Sequence, residues 1–358
     1  MYTASRSFPV RKAFKVILTF VLCITAVSCC LTSCEFRSLV PAEAMMRGNG
    51  GSGTDAVSGT PTTTIPAEPE PILYTDPLTG GKTFDDRTAV RPFAVCFSQS
   101  RNALYGQASV IIEAPYLKNG QKSIALLNTP SDSSPIRNVD SAADYLCVFS
   151  QYFDALLVAS QTVPAPYECL TYISDEATPV FSAASDGSIS TSQDKLSTAA
   201  GWQNKRLTLN GAIPLSFSET TSALSNIPAY KVSFPLNDDI LISYAYDPST
   251  HTYLRYRNEQ PVILENKTEQ ISFVNLLILL CDSTTTETEE QYSVSLDVSQ
   301  GSGYAVSEGT EIPITWKADE SGALTFTTAD GKPLYLNTGN TCISLIKASN
   351  KNLVKITK

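Results

Sequence analysis

From Tyr230 to Ile346 the chain is cut into short apolar runs of strand length, and none has the spacing of a helix. The runs are Tyr230 to Pro235, Ile240 to Tyr246, Tyr253 to Tyr256, Ile271 to Cys281, Tyr292 to Val298, Ile312 to Trp316, Leu324 to Thr327 and Cys342 to Ile346. Such runs between turn residues read as strands. Asp247-Pro248-Ser249-Thr250 and Asp330-Gly331 carry turn chemistry. Strands joined by tight turns pair antiparallel, so residues 214–358 are expected to form a mainly antiparallel β domain. Leu276 to Leu280 is too short to cross a bilayer and reads as a central strand.

Residues 75–213 read differently. Phe93 to Phe97, Val110 to Glu113, Ile124 to Leu127 and Ala155 to Ala159 are strand-like. Between them, Ser141 to Phe153 has apolar residues at 142, 145, 146, 149 and 153, the spacing of a helix, with Asp140 or Asn138 as its N-cap. Thr191-Ser192-Gln193-Asp194 resembles a capping box with Asp in the usual Glu place, opening a short helix that Gly201 closes. Strands flanking a helix imply an α/β layer. The expected class is therefore α+β: a mixed α/β domain followed by a β-rich one. The pocket-and-lobe plan of a transport solute-binding protein needs two α/β lobes, which a helix-free second half does not offer.

The first 33 residues have the form of a lipoprotein signal peptide. Arg6, Arg11, Lys12 and Lys15 make a basic n-region. Val16 to Leu31 is apolar but shorter than the ~20 residues of a membrane span. Leu31-Thr32-Ser33-Cys34 then gives small residues before a cysteine. Cleavage there makes Cys34 the lipidated first residue, anchored by diacylglyceryl to the outer face of the cytoplasmic membrane. Ala26-Val27-Ser28-Cys29 is a weaker competing site, and an ordinary secretion signal is the plain alternative. Residues 34–74 are rich in Gly, Pro, Thr and Glu and read as a disordered linker. A flexible coil of about 38 residues spans ~35 Å.

The net charge of −9 excludes a nucleic-acid partner, which needs clustered Lys and Arg. Five cysteines follow the anchor: Cys96, Cys147, Cys169, Cys281 and Cys342. They are scattered, without a CxxC pair, and read as small buried hydrophobes; whether Cys147 and Cys169 ever bond stays open. The single histidine, His251, falls in a turn, so neither a Ser-His-Asp system nor a common zinc site is expected, and no cofactor or metal is implied. Gly80-Gly81-Lys82-Thr83 lacks the first glycine and the helix of a P-loop. Thr284 to Glu290 reads as a solvated acidic loop. Two charges stand out. Glu113 ends an apolar strand and Arg137 precedes the 141–153 helix; they line a pocket, pair with each other, or are simply exposed.

The order of motifs resembles one family. Asp76-Pro77-Leu78-Thr79-Gly80, Arg91-Pro92-Phe93-Ala94-Val95, Ala108 to Glu113, Ser134-Pro135-Ile136-Arg137 and Phe153 to Val158 form its first half. Tyr246-Asp247, Tyr253-Leu254-Arg255, Asn275, Gly301-Ser302-Gly303-Tyr304, Ile314-Thr315-Trp316-Lys317 and Gly339-Asn340-Thr341 form its second. Across residues 75 to 348 this is similar to the YerB-like lipoproteins, a two-domain family of unknown function, of which this chain looks a divergent member. The resemblance implies a tethered envelope protein of a Gram-positive-type bacterium. It also implies losses. Ser160-Gln161-Thr162, Asp186-Gly187-Ser188, Val262 and Leu264 stand where the family pattern has polar groups with His, and Asp140 stands in place of an Arg. Of a site built from such groups, Glu113, Arg137 and Asn275 remain.

Two functional expectations follow. One is a non-catalytic surface lipoprotein that binds an envelope protein or wall polymer, with Tyr253, Tyr256, Tyr304 and Trp316 as either contact aromatics or core. The other is an enzyme acting on cell-wall or extracytoplasmic substrate, which requires Glu113 and Arg137 to face one concave pocket with a raised carboxylate pKa. The missing histidines and the acidic charge favour the first.

Overall fold

The structure, a computed structural model, describes residues 71–98, 103–128, 134–171, 181–183, 188–265, 267–287 and 292–358. The signal segment, Cys34 and the linker through residue 70 lie outside the described residues.

The longer elements are β1 (Phe93–Phe97), β2 (Val110–Tyr116), β3 (Gly120–Leu127), α1 (Asp144–Tyr152), β4 (Leu156–Ala159), β5 (Cys169–Thr171) and α2 (Gln193–Trp202). They continue with β6 (Lys231–Pro235), β7 (Leu241–Asp247), β8 (Thr252–Arg257), β9 (Asn275–Cys281), β10 (Ser283–Glu287), β11 (Tyr292–Leu296), β12 (Gln300–Ser307), β13 (Thr310–Ala318), β14 (Leu324–Thr328), β15 (Thr341–Lys347) and β16 (Lys355–Thr357). Sheet dominates throughout, and the second half is mainly β as its runs predict.

An eleven-stranded sheet runs in the order β13-β12-β9-β15-β2-β3-β1-β4-β5, with Ile227–Pro228 outside β13 and β14 also on β13. β9 is buried along its whole length, because both faces are covered and its neighbours are β12, antiparallel, and β15, parallel. The two sequence halves divided near residue 213 meet inside this sheet. β15 pairs in parallel with β2, placing Thr341 beside Val110 and Ser344 beside Glu113. A six-stranded sheet built on β8-β7-β6-β16 packs over one face.

Strand alternation sorts the core into two layers. Phe93, Val95, Phe97, Ile111, Leu276 and Ile278 point to the layer shared with the six-stranded sheet, which also holds Phe234, Ile242 and Tyr253. Ala94, Cys96, Ile112, Leu277 and Leu279 point the other way, to Leu146, Phe149 and Phe153 around α1 and to Trp316. Tyr253 and Trp316 are thus core residues, and Tyr256 and Tyr304 are half-buried.

Several local expectations are corrected. The N-cap of α1 is Ala143, without a side-chain cap, because Asp140 turns to the Ser141 amide and to Lys122 Nζ at 2.8 Å. α2 runs through Gly201, and Asp194 accepts from the Ser192 hydroxyl instead of closing a capping box. The 271–281 run breaks between Phe273 and Asn275, and residues 283–287 are a strand paired with β11, not a loop.

Gly303 on β12 has no room for a side chain: an added Cβ would lie 2.2 Å from the Ile278 carbonyl oxygen, which the sheet fixes. Gly303→Ala is expected to lower stability by ~1–3 kcal/mol. Gly201→Ala, at a helical position with nothing within 4 Å, is expected to raise it by up to ~1 kcal/mol. Urea midpoints of the two variants check both signs.

Candidate functional site

Among the described residues, two places that gather chemistry-bearing side chains stand out, one sealed and one open. The sealed one is centred on Glu113. Alternation along β2 turns Glu113 away from Ile112 and Ala114 and toward the six-stranded sheet, and it is fully buried. Arg255, two residues after Tyr253 on β8, faces it from that sheet and is also fully buried. The guanidinium holds the carboxylate as a fork, Nη1 to Oε1 at 3.0 Å and Nη2 to Oε2 at 2.6 Å. Ser344 Oγ donates to Oε1 at 2.8 Å and Gln121 Nε2 to Oε2 at 3.0 Å, so each carboxylate oxygen has at least two donors. Tyr105 and Tyr244 lay their rings 5.4 and 5.5 Å from the guanidinium carbon, and Arg255 Nη1 also donates to the Tyr244 hydroxyl. Arg255 Nε is buried without a partner.

Burial alone would lower the Arg255 pKa, but Glu113, helped by Tyr244 and Tyr105, more than reverses this and raises it well above its usual value. Burial pushes Tyr105 up to about 12 and Cys342, 3.9 Å from Glu113, also to about 12. Arg255 is thus a fixed cation, and the thiol and phenols around it stay neutral at physiological pH.

The residues singled out in the sequence are therefore not gathered at one site. The guanidinium on Glu113 belongs to Arg255; Arg137 is exposed, whereas Glu113 has no solvent exposure. Glu113 is sealed from solvent, so among the described residues it shares no open pocket with Arg137. Asn275 lies fully buried in a separate knot: Nδ2 donates to the Asn337 carbonyl at 2.7 Å, and Oδ1 accepts from Ser307 Oγ at 2.9 Å. It ties β9 and β12 to the segment before β15. Arg255 was present in the sequence as the third residue of Tyr253-Leu254-Arg255, and period-2 spacing from Tyr253 marks it as inward-facing. His251 sits in the 247–252 turn, with Nδ1 3.0 Å from Glu308 Oε2.

The open place is a cleft of about 390 Å³ lined by Arg91, Tyr152, Asp154, Tyr167, Glu168 and Arg206, among others. It lies where β1, β4 and β5 begin, at the C-terminal end of α1, with Ser321 and Gly322 of the β13–β14 turn closing one side. Asp154 has a φ of 48° at the turn after α1, which aims its carboxylate at Arg206 and at the amides of Asn210 (2.7 Å) and Gly211 (3.3 Å). Burial would raise Asp154, but the Arg206 fork overrides it and holds the carboxyl below its usual range. Arg91 is 6% exposed, its Nε donating to the Asp154 carbonyl at 2.8 Å and its Nη1 to the Arg206 carbonyl at 3.2 Å. Glu168 Oε2 lies 2.7 Å from Nη1, and that contact with Arg91 holds Glu168 below its usual range. The cleft is not legible in the sequence because its residues are far apart in the chain and each of its charged ones, alone, reads as a surface charge.

Residues 231–343 match the model of the DUF3048 C-terminal domain, described as a protein of unknown function. The fold is similar to the crystal structure of YerB protein from Bacillus subtilis, with a TM-score of 0.65 and 22% identity over 80% of this chain and 100% of that chain. The fold is therefore YerB-like, and residues 231–343 are similar to the DUF3048 C-terminal domain. A comparison with curated proteins finds no match. The DUF3048 match begins at β6 and ends within β15, so it contains Arg255 and Asn275 but neither Glu113 nor the residues of the cleft before β6.

Removing one partner of a sealed pair strands the other. Glu113→Leu and Arg255→Met are each expected to cost ~3–5 kcal/mol, and the double variant is expected to recover more than half of the summed loss. Urea denaturation of the three variants decides it. Asp154, with its folded-state pKa depressed, stabilises above its ordinary value of 3.8 and loses that contribution as pH falls through the lower folded value. The stability gap between the parent and Asp154→Asn is therefore expected to be widest near neutrality and to shrink in acid, read from thermal melts across that range.

Proposed function

We propose that this YerB-like chain is a lipoprotein held by diacylated Cys34 on the outer face of the cytoplasmic membrane, where it acts as a non-catalytic binding module of the cell envelope. The leader and the Cys34 motif support the anchor, and the Pro- and Gly-rich linker supports display of the folded part away from the bilayer. The parallel pairing of β1, β4 and β5, with α1 between β3 and β4, supports an α/β layer in the N-terminal half.

The observation that carries the binding reading is the state of Glu113. Its two oxygens take four hydrogen bonds from nitrogen and oxygen donors and have no solvent contact, so this carboxylate is closed off from a substrate. The surface that remains for recognition is the open cleft and the exposed faces of the sheets. An envelope protein or a wall polymer fits the acidic, tethered character of the chain.

Cys34→Ala is expected to abolish labelling by a radioactive fatty acid in growing cells and to move the protein out of the membrane fraction. Unchanged labelling would sink the anchor. Cross-linking mass spectrometry on cells with the lipidated protein tests the binding role. A specific partner that survives Glu113→Gln supports it. Loss of all cross-links with a cell phenotype that tracks Glu113 overturns it.

A further inference from the structure

We propose that the cleft between α1, the start of β4 and the β13–β14 turn binds the C-terminal carboxylate of a short peptide, taken up by Arg91 in place of Glu168. The inference rests on the binding-module reading and names the site and ligand class that reading leaves open.

The cleft has a division of labour between its charges. The Asp154–Arg206 pair is wall: Asp154 takes the Arg206 fork and two backbone amides, which leaves it no capacity for a ligand. The Arg91 pair is different. Arg91 is nearly buried and is locked by two backbone carbonyls, so its guanidinium is already positioned and has no rotamer freedom to lose. Its partner Glu168 is half exposed, 47%, on the segment before β5. A solvent-exposed partner contributes little net energy to an ion pair, so a second carboxylate competes with it on nearly equal terms. Lys205 Nζ, 4.0 Å from Glu168 Oε1, is in place to receive the displaced side chain. Arg91 Nε also lies 3.8 Å from Asp154 Oδ1, so three cations, Arg91, Lys205 and Arg206, share one fixed carboxylate and one movable one, in a chain whose net charge is −9.

The remaining lining fits the end of a peptide. Tyr152 and Tyr167 give ring surface, and Tyr152 is anchored by its hydroxyl on the Val298 carbonyl at 3.0 Å. About 390 Å³ falls in the range of small-ligand sites. A guanidinium recognises a carboxylate by two parallel hydrogen bonds, a geometry that an amide end does not match.

The test is equilibrium dialysis of the full-length protein in detergent against labelled N-acetyl-Ala-Ala, its C-terminal amide, and inorganic phosphate. The acid is expected to bind saturably, at least about tenfold more tightly than the amide or phosphate. Glu168→Gln removes the competing charge on an exposed residue and is expected to tighten acid binding up to about fivefold. Glu287→Gln, on the distant β10–β11 hairpin, is expected to change nothing. No saturable binding of the acid overturns the proposal, as does equal binding of acid and amide, phosphate binding as tight as the acid, or weaker acid binding by Glu168→Gln. Any of these results, with the Cys34 anchor and a cross-linked partner intact, removes this site and leaves the binding-module reading in place.

Discussion

The Glu113–Arg255 fork joins the two sheets, each of which offers a buried charge to the layer between them. Glu113 comes from β2 of the large sheet and Arg255 from β8 of the six-stranded one, 142 residues apart in sequence. Neither group has water to fall back on. Desolvating two such ions costs several kcal/mol, which their attraction and the added hydrogen bonds offset. The pair is therefore better understood as a register constraint than as a source of net stability. A slip of β2 by one residue would turn Glu113 to the α1 side and bring Ile112 or Ala114 against Arg255. Gln121, Ser344 and the two tyrosines complete the enclosure, each from a different strand or turn.

This arrangement separates strength from accessibility. The Glu113–Arg255 contact lies where solvent does not reach it, and the surrounding thiol and phenols are held neutral by burial. The cleft pairs meet solvent on one side: Glu168, on Arg91, is half exposed, and Arg206, on Asp154, is about a third exposed. An interior ion pair that fixes geometry and a surface pair that can exchange partners obey the same electrostatics, at two different degrees of solvation.

Much of the fold was legible in the sequence, because period-2 alternation is a local signal. The strands at Phe93–Phe97, Leu324–Thr328 and Thr341–Lys347 lie within a residue or two of the runs that announced them. The cap of α1 was misread because Asp140 has a competing partner, Lys122, supplied by β3. The 283–287 strand was misread as a loop because all its side chains are exposed, so hydrophobic pattern carries no information there. The partner of Glu113 was not legible in the sequence for a different reason. Arg137 is closer in sequence, but pairing is decided by which strand faces β2, and that depends on how two sheets stack. The cleft depends on the same kind of long-range placement, drawing on residues from Arg91 to Gly322.

The parallel pairing of β15 with β2 also governs the order in which the molecule is able to fold. Ser344 and Glu113 are 231 residues apart, yet they sit side by side in the middle of the large sheet. Until β15 has emerged, β2 keeps an open edge and β9 lacks one of its neighbours. The central strands are thus completed last, after a long loop has closed, which makes assembly slow and late. The large sheet stays open through most of the chain's length, and β15, the last of its strands in sequence, is the latch that commits it to the folded state.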